Sequence, residues 1–395
     1  MITWRKTKRS GEPVGTLINA HIVSAEQAWE RGYIRWNGQS IDEIGSMEQF
    51  VQRDENVIDV SGALVTPGLI DIHIHGGYEV DTMDADESRL RQLSEDMLQE
   101  GVTSFFATTI TQSKEAIEQA LTAVRNVMAT EDTTIAGIHL EGPFVNVEMA
   151  GAQPAEYIID PDAEQFRKWQ QLAGGHIRLV TYAPERPGAR EFEEALRESG
   201  AISSAGHTSA TFEENKQAGV KHGTHLYNQM RGLHHREPGT VGYCLLEKGV
   251  MAEIIPDGIH SRPEMVDFAY RLKGADELVV ITDAMRAKGL PDGQYELGGQ
   301  PVIVEGGAAR LEAGNLAGSV LTMDAAFRNI QAYTGCTVEE AVKMTATNAA
   351  KEFGLTTKGD IKSGFDADLV VWDDTAHVQM TIVKGNIAYE REDQR

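Results

Sequence analysis

Cysteine is nearly absent: the 395-residue chain holds only Cys244 and Cys336, far apart in sequence. That excludes a disulfide framework and a thiolate zinc cluster, and it makes a reducing compartment, the cytoplasm, the expected address. Basic charge is scarce as well. Lys and Arg number 36 against 60 Asp and Glu, and the formal charge of −24 repels nucleic-acid phosphates and anionic membrane surfaces. Neither a nucleic-acid nor a membrane partner is expected. No apolar run nears the roughly 18 uninterrupted residues of a membrane helix, and the mean hydropathy is negative. Arg5, Lys6, Lys8 and Arg9 are not followed by an apolar segment, so residues 1–10 read as an unstructured tail rather than a secretory signal.

The length suits a catalytic domain of roughly 250 residues with a smaller unit beside it. Short strand-like runs punctuated by Gly and Asn occupy 16–23, 32–37 and 56–60, and the same character returns at 368–372 and 380–386. The two ends are therefore expected to pair into one small β-sandwich domain, built from residues 1–66 and 353–395. Residues 67–352 read differently, as apolar runs alternating with amphipathic stretches. Eight runs stand out, at 69–75, 102–108, 135–141, 177–183, 202–207, 220–225, 250–255 and 278–283. Helix-forming stretches such as 87–100, 114–128 and 191–199 separate them. The repeat predicts an α/β fold, a closed (β/α)8 TIM-like barrel rather than an open sheet. No Gly-x-Gly-x-x-Gly follows the first run, which argues against a dinucleotide fold.

In such a barrel the C-terminal ends of the strands carry function. The first run closes on His73 and His75, which in a strand face the same side. A single pair is a weak signal, since histidines pair on surfaces and in cores as well. Other runs end in His139-Leu140-Glu141, Gly206-His207, Thr224-His225 and Thr282-Asp283. Taken alone, Glu141 could cap a turn, His207 could sit in the core and Asp283 could begin a helix; together they point to a metal. His73, His75, Glu141, His207, His225 and Asp283 offer nitrogen and oxygen without sulfur, which suits zinc, iron or a related divalent ion. His139 and His222 are assigned supporting roles, and His234 and His235 fall in polar turns. A divalent ion activates water and polarises a carbonyl, and Asp283 can pass a proton from water to a leaving nitrogen. Hydrolysis of a C–N bond is the predicted reaction class.

Longer motifs surround these residues. They are Pro67-Gly68-Leu69-Ile70-Asp71-Ile72-His73-Ile74-His75-Gly76-Gly77, Gly137-Ile138-His139-Leu140-Glu141-Gly142-Pro143-Phe144, Thr224-His225-Leu226-Tyr227-Asn228, Arg236-Glu237-Pro238-Gly239, Asp257-Gly258-Ile259-His260, Thr282-Asp283-Ala284-Met285 and Leu316-Ala317-Gly318-Ser319. Through them the chain, nearly end to end, resembles the amidohydrolase superfamily and within it the N-acetylglucosamine-6-phosphate deacetylases. The resemblance implies deacetylation of a sugar phosphate in amino-sugar catabolism and recycling. It implies a metal on Glu141, His207 and His225, with Asp283 as acid–base. With His73 and His75 both present, it also implies a second ion bridged by Glu141. For the substrate it implies Arg236 and His260 at the phosphate and Asn228 and Gln229 at the sugar or phosphate. Gln153, where some relatives have His, is assigned a sugar contact, and relatives often carry Ala where Gln229 stands. A homodimer follows, in which Arg236 reaches the neighbouring subunit's site.

Two rival readings share the architecture. A cyclic-amide hydrolase or nucleobase deaminase would keep the histidine pair and the strand-eight aspartate. Cyclic-amide hydrolases usually bridge their metals with a carboxylated lysine, whereas the third run here ends in Glu141, and Arg236 with His260 suits a phosphate. A catalytically dead scaffold would have eroded ligands, and none is lost.

Overall fold

The computed structural model describes residues 14–53, 56–130 and 133–392; the tail read at residues 1–10 lies outside them. Contacts divide the chain into two compact units. One comprises Met1–Ile70, Glu95–Ser104 and Cys336–Arg395, the other Asp71–Ser94 and Phe105–Gly335. The domain limits 66/67 and 352/353 stand as our proposal for where the sequence changes character.

In the first unit, strands from both chain ends form one sheet. Its order runs Asn386–Glu390, Val378–Val383, Leu369–Trp372, Leu64–Pro67, Val14–Val23, Ala28–Asn37, Ser40–Ser46, with Asn56–Asp59 paired to Val14–Val23 off this path. The join between the two ends is antiparallel, Leu369 facing Pro67 and Val371 facing Val65. Across it the Trp372 indole N–H donates to Thr66 Oγ1 at 2.9 Å. Leu17, Ile22, Ile34, Trp36, Val65, Leu369 and Ile382 are among the buried side chains of its core. Ser40–Ser46 and Leu64–Pro67 were not among the expected strands; the first is a polar, half-exposed strand without an apolar run.

The middle of the chain contains eight parallel strands: β1 (Leu69–Ile74), β2 (Val102–Thr109), β3 (Ile135–Glu141), β4 (Ile177–Tyr182), β5 (Ile202–Ala205), β6 (His222–Gly223), β7 (Met251–Ile254) and β8 (Leu278–Val280). They are hydrogen-bonded in sequence order. The ring is closed just beyond β8, where Ile74 and Ala284 form a parallel bridge and the Asp283 N–H donates to the His73 carbonyl at 2.8 Å. Each strand is followed by a helix, from Glu87–Asp96 after β1 to Met323–Thr334 after β8. Lys114–Met128 shows why these stretches are helical. Ser113 caps its first turn by accepting from the Ala116 N–H, and Ile117, Ala120, Leu121, Val124 and Val127 form one buried stripe.

One element has no counterpart in the sequence reading. Gly293–Leu297, Gln300–Glu305 and Ala308–Leu311 form a three-stranded antiparallel sheet. Its turns are Gly298-Gly299 and Gly306-Gly307, all at positive φ, the I′ geometry that matches strand twist. Leu297, Val302, Val304 and Ala309 pack beneath it with Met285, Ala287 and Ile110.

Candidate metal centre

Alternation along β1 puts His73 and His75 on one face, and β3 delivers Glu141 opposite them. His75 Nε2 lies 3.2 Å from Glu141 Oε2 and 3.3 Å from Asp283 Oδ1. His73 Nε2 lies 3.4 Å from Asp283 Oδ1 and 3.6 Å from Glu141 Oε1. On the other side of the carboxylate, His207 Nε2 and His225 Nε2 lie 3.2 and 3.1 Å from Glu141 Oε1 and 3.1 Å from each other. All six residues expected to hold metal are thus brought together, and all are buried. Glu141 stands between the two histidine pairs, its Oε1 toward His73, His207 and His225 and its Oε2 toward His75.

Tautomers test whether a cation fits. His207 Nδ1 lies 2.8 Å from the Met149 carbonyl, which can only accept, so Nδ1 carries the proton and Nε2 turns a bare lone pair inward. His73 Nδ1 lies 2.8 Å from Glu253 Oε2 and donates to it, leaving Nε2 without a hydrogen-bond partner among the described residues. Bare nitrogens thus face ionised oxygens and one another. Metal–ligand bonds of about 2.1 Å place neighbouring ligand atoms roughly 3.0–3.4 Å apart in octahedral or tetrahedral geometry. Apart from the 3.6 Å between His73 and Glu141, the spacings above match, so the residues fit a divalent cation bound through nitrogen and oxygen. Groups His73/His75/Glu141 and Glu141/His207/His225 each could hold one.

The electrostatics agree. Burial opposes ionisation of Glu141, but the positive charge of His73 and the close approach of His207, His225 and His75 outweigh it and hold the carboxyl well below its usual range. Asp283 is lowered against burial by His73 and His75. Burial disfavours the His73 cation, yet Glu253, Asp283 and Glu141 raise its pKa to about 9, and the same carboxylates would favour a metal cation at Nε2 in place of that proton. His139 is pushed well down, first by burial and then by His73, so it is neutral. Its ring packs edge-on against His73 with centroids 4.4 Å apart, and its Nε2 lies 2.7 Å from Thr181 Oγ1. That is a supporting position, as is that of His222 beside Glu253.

Three of the six residues have left-handed backbone: His207, His225 and Asp283 at φ 47°, 33° and 49°. Each lies just past the end of its strand, where the chain turns away and aims the side chain across the barrel mouth. His, Asn and Asp are the non-glycine residues that tolerate this region best. The carboxylate of Glu185 steadies the turn at His207, accepting from Ser209 N at 2.8 Å, Thr208 Oγ1 at 2.5 Å and Asn146 Nδ2 at 2.8 Å.

Residues expected at the substrate are placed unevenly. Gln153 is buried with both ends of its amide engaged, Nε2 donating to Glu141 Oε2 and Oε1 accepting from Thr111 N, each at 2.8 Å. Asn228 donates through Nδ2 to the carbonyls of His225 and Leu226 at 3.3 and 3.2 Å. Gln229 lies against Gly151, where an added Cβ would meet its Cγ at 2.7 Å. His260 Nδ1 lies 2.7 Å from Asp257 Oδ2. Arg236 sits exposed in the turn through His234–Glu237, and its guanidinium has no ion-pair partner among the described residues.

Two residues given no role in the sequence reading belong to the site. Asp71 Oδ2 accepts from Thr282 Oγ1 at 2.5 Å, and Oδ1 faces the backbone N–H groups of His73 and Thr282 at 3.3 and 3.4 Å. It ties the strand bearing His73 to the segment bearing Asp283. Glu253, fully buried on β7, touches His73, His222 and His225. A lone acid inside an apolar strand was the available signal, because a buried carboxylate needs partners.

Comparison with known proteins places this arrangement. The amidohydrolase family model matches residues 64–388. N-acetylglucosamine-6-phosphate deacetylase of Lysinibacillus sphaericus is 48% identical over 335 residues, covering 84% of this chain and 87% of that protein. The enzyme of the same name from Bacillus subtilis (strain 168) is 44% identical over 377 residues, covering 93% and 95%. The crystal structure of N-acetylglucosamine-6-phosphate deacetylase from Thermotoga maritima superposes with a TM-score of 0.86 at 33% identity, covering 95% of this chain and 100% of that one. Motif, barrel and end-to-end similarity agree, and the chain belongs to the amidohydrolase family, among the N-acetylglucosamine-6-phosphate deacetylases.

Proposed function

We propose that this chain hydrolyses the acetamide of N-acetyl-D-glucosamine 6-phosphate, releasing D-glucosamine 6-phosphate and acetate. The observation that carries the reading is Glu141 set between two histidine pairs with Asp283 facing one of them, in a chain similar along most of its length to deacetylases of that name. We assign two divalent ions, zinc or iron, one to His73, His75, Glu141 and Asp283 and the other to Glu141, His207 and His225. When bound, such ions supply Lewis acidity to the carbonyl and acidify water.

The protein's own groups do the rest. Asp283, ionised and facing the cluster, takes the proton from the attacking water and returns it to the leaving amine nitrogen. His207, held by the Met149 carbonyl, keeps its lone pair inward. Gln153 is proposed at the sugar through an amide shared with Glu141, and Asn228 and Gln229 at the sugar or phosphate. Arg236, with no carboxylate to neutralise it, is assigned with His260 to the phosphate, where a fork of donors suits bidentate contact.

Arg236 is also assigned to the active site of a second copy, in a homodimer. Supporting this, the loop before it exposes Leu233 at 51%, and the packed helices Gly239–Leu246 and Pro263–Lys273 expose Leu246, Phe268 and Leu272. A cytoplasmic location is proposed from the two free thiols; among the described residues no helix is long and apolar enough to cross a membrane. The test is acetate release from N-acetylglucosamine 6-phosphate by purified, metal-loaded chain, with a chelator control that abolishes it and metal that restores it. No release, with turnover of a cyclic amide instead, would favour the rival hydrolase.

A further inference from the structure

Glu253 lies outside the set of proposed ligands, yet it touches both halves of that set. Its carboxylate is 0% exposed, in a strand segment whose other side chains are apolar, so its charge must be met by donors at close range. One oxygen, Oε2, accepts twice: from His73 Nδ1–H at 2.8 Å and from the backbone N–H of His225 at 2.8 Å. The other oxygen lies 3.3 Å from His222 Nε2. His73 is assigned to one metal position and His225 to the other. A single oxygen atom thus fixes the tautomer and ring orientation of one ligand and the backbone of the second.

The backbone contact matters because His225 stands at φ 33°, a conformation that needs an external hold. The contact to His73 matters because Nε2 can bind a cation only while Nδ1 keeps the proton. A carboxylate partner also makes the imidazole a stronger donor. We propose that Glu253 is a positioning residue that sets the metal affinity of the His73 position through the ring and steadies the His225 position through the backbone. The inference rests on the two-metal reading given above.

The test uses the full chain and Glu253→Gln, which preserves shape. The Gln oxygen can still accept from both N–H groups, while its amide faces His222, which changes tautomer to accept. The charge is lost, and His222 is the one neighbour that must change its proton. Zinc affinity is read by competition with a chelating chromophore, stoichiometry by elemental analysis and folding by circular dichroism. The expected result is two zinc ions in the wild type, with one affinity weakened about 10–100-fold in the variant and the other changed less than about threefold. A wild type that binds no zinc overturns the metal reading and this inference with it. Two ions of unchanged affinity in Glu253→Gln overturn the inference alone. Should the variant fail to fold, ¹⁵N-histidine spectra of the zinc-loaded wild type decide: His73 must show protonated Nδ1 and zinc-bound Nε2, and the opposite pattern refutes the role.

Discussion

Asp283→Asn separates chemistry from architecture at this site. Asp283 sits at φ 49°, a region where Asn is at home and Ala pays about 1–2 kcal/mol. Asn also keeps the volume of the side chain and its reach toward His73 and His75, 3.4 and 3.3 Å away. What it loses is the ability to accept a proton from water and pass it to the amine. Removing one positioned acid–base typically costs 10²–10⁴-fold, or about 3–5.5 kcal/mol of barrier at 1.36 kcal/mol per decade. The expected result is therefore a kcat for acetate release down by at least about a hundredfold, with KM, metal content and Tm near wild type. Asp283→Ala should lose as much activity and in addition melt earlier. A kcat for Asp283→Asn within threefold of wild type would refute the role. So would a Tm that falls as far for Asn as for Ala, because the backbone argument would then be wrong.

Arg236→Ala should raise KM for the phosphorylated sugar about 10–100-fold, the value of a charge-assisted contact of about 1.5–3 kcal/mol; an equal effect on the unphosphorylated sugar would contradict phosphate recognition. Gly76→Ala would put a Cβ 2.0 Å from the Val80 carbonyl oxygen, so a loss of about 3 kcal/mol is expected in thermal unfolding, and an unchanged Tm would show that the turn yields. Lys358 is paired with Asp368 at 2.5 Å and Asp366 at 3.0 Å. Burial opposes its charge, but the two carboxylates outweigh burial and raise its pKa above the ordinary 10.5. A raised lysine pKa gives stability that is complete below the unfolded value and lost as pH climbs through the folded one. Lys358→Gln should therefore unfold at lower urea than wild type at neutral pH, and the gap should narrow at strongly alkaline pH; a constant gap would exclude the ion pairs as its source.

The barrel was legible because fully buried parallel strands read as unbroken apolar runs. Lys114–Met128 was found at both ends, since a Ser cap and a clean apolar stripe mark it. Strand ends were read too long where it mattered most. The runs were expected to reach His207, His225 and Asp283, whereas β5, β6 and β8 stop at Ala205, Gly223 and Val280. The ligands lie past the ladder in left-handed turns, and residue type alone does not announce that. The sheet Gly293–Leu311 escaped because its strands alternate and its glycine pairs resemble loop. Glu253 was hidden by distance, 180 residues from the His73 it holds. Gln153 was read as a sugar contact, and its amide joins Glu141 to the Thr111 N–H, a relation that only three-dimensional packing reveals.

The pairing of Leu64–Pro67 with Leu369–Trp372 bears on how the chain emerges during synthesis. Trp372 and Thr66 are 306 positions apart. At about 5–20 residues per second the later strand follows the earlier by roughly 15–60 s. Throughout that interval Leu64, Val65 and Thr66 lack the strand that covers one edge in the finished fold, a hydrophobic template open to other chains. The segment lies directly before β1, so a nascent chain that pairs wrongly there misplaces the lead-in to His73 before any ligand from the far strands exists. Loss of the last thirty residues would make that temporary condition permanent, and aggregation rather than inactivity alone is the expected outcome.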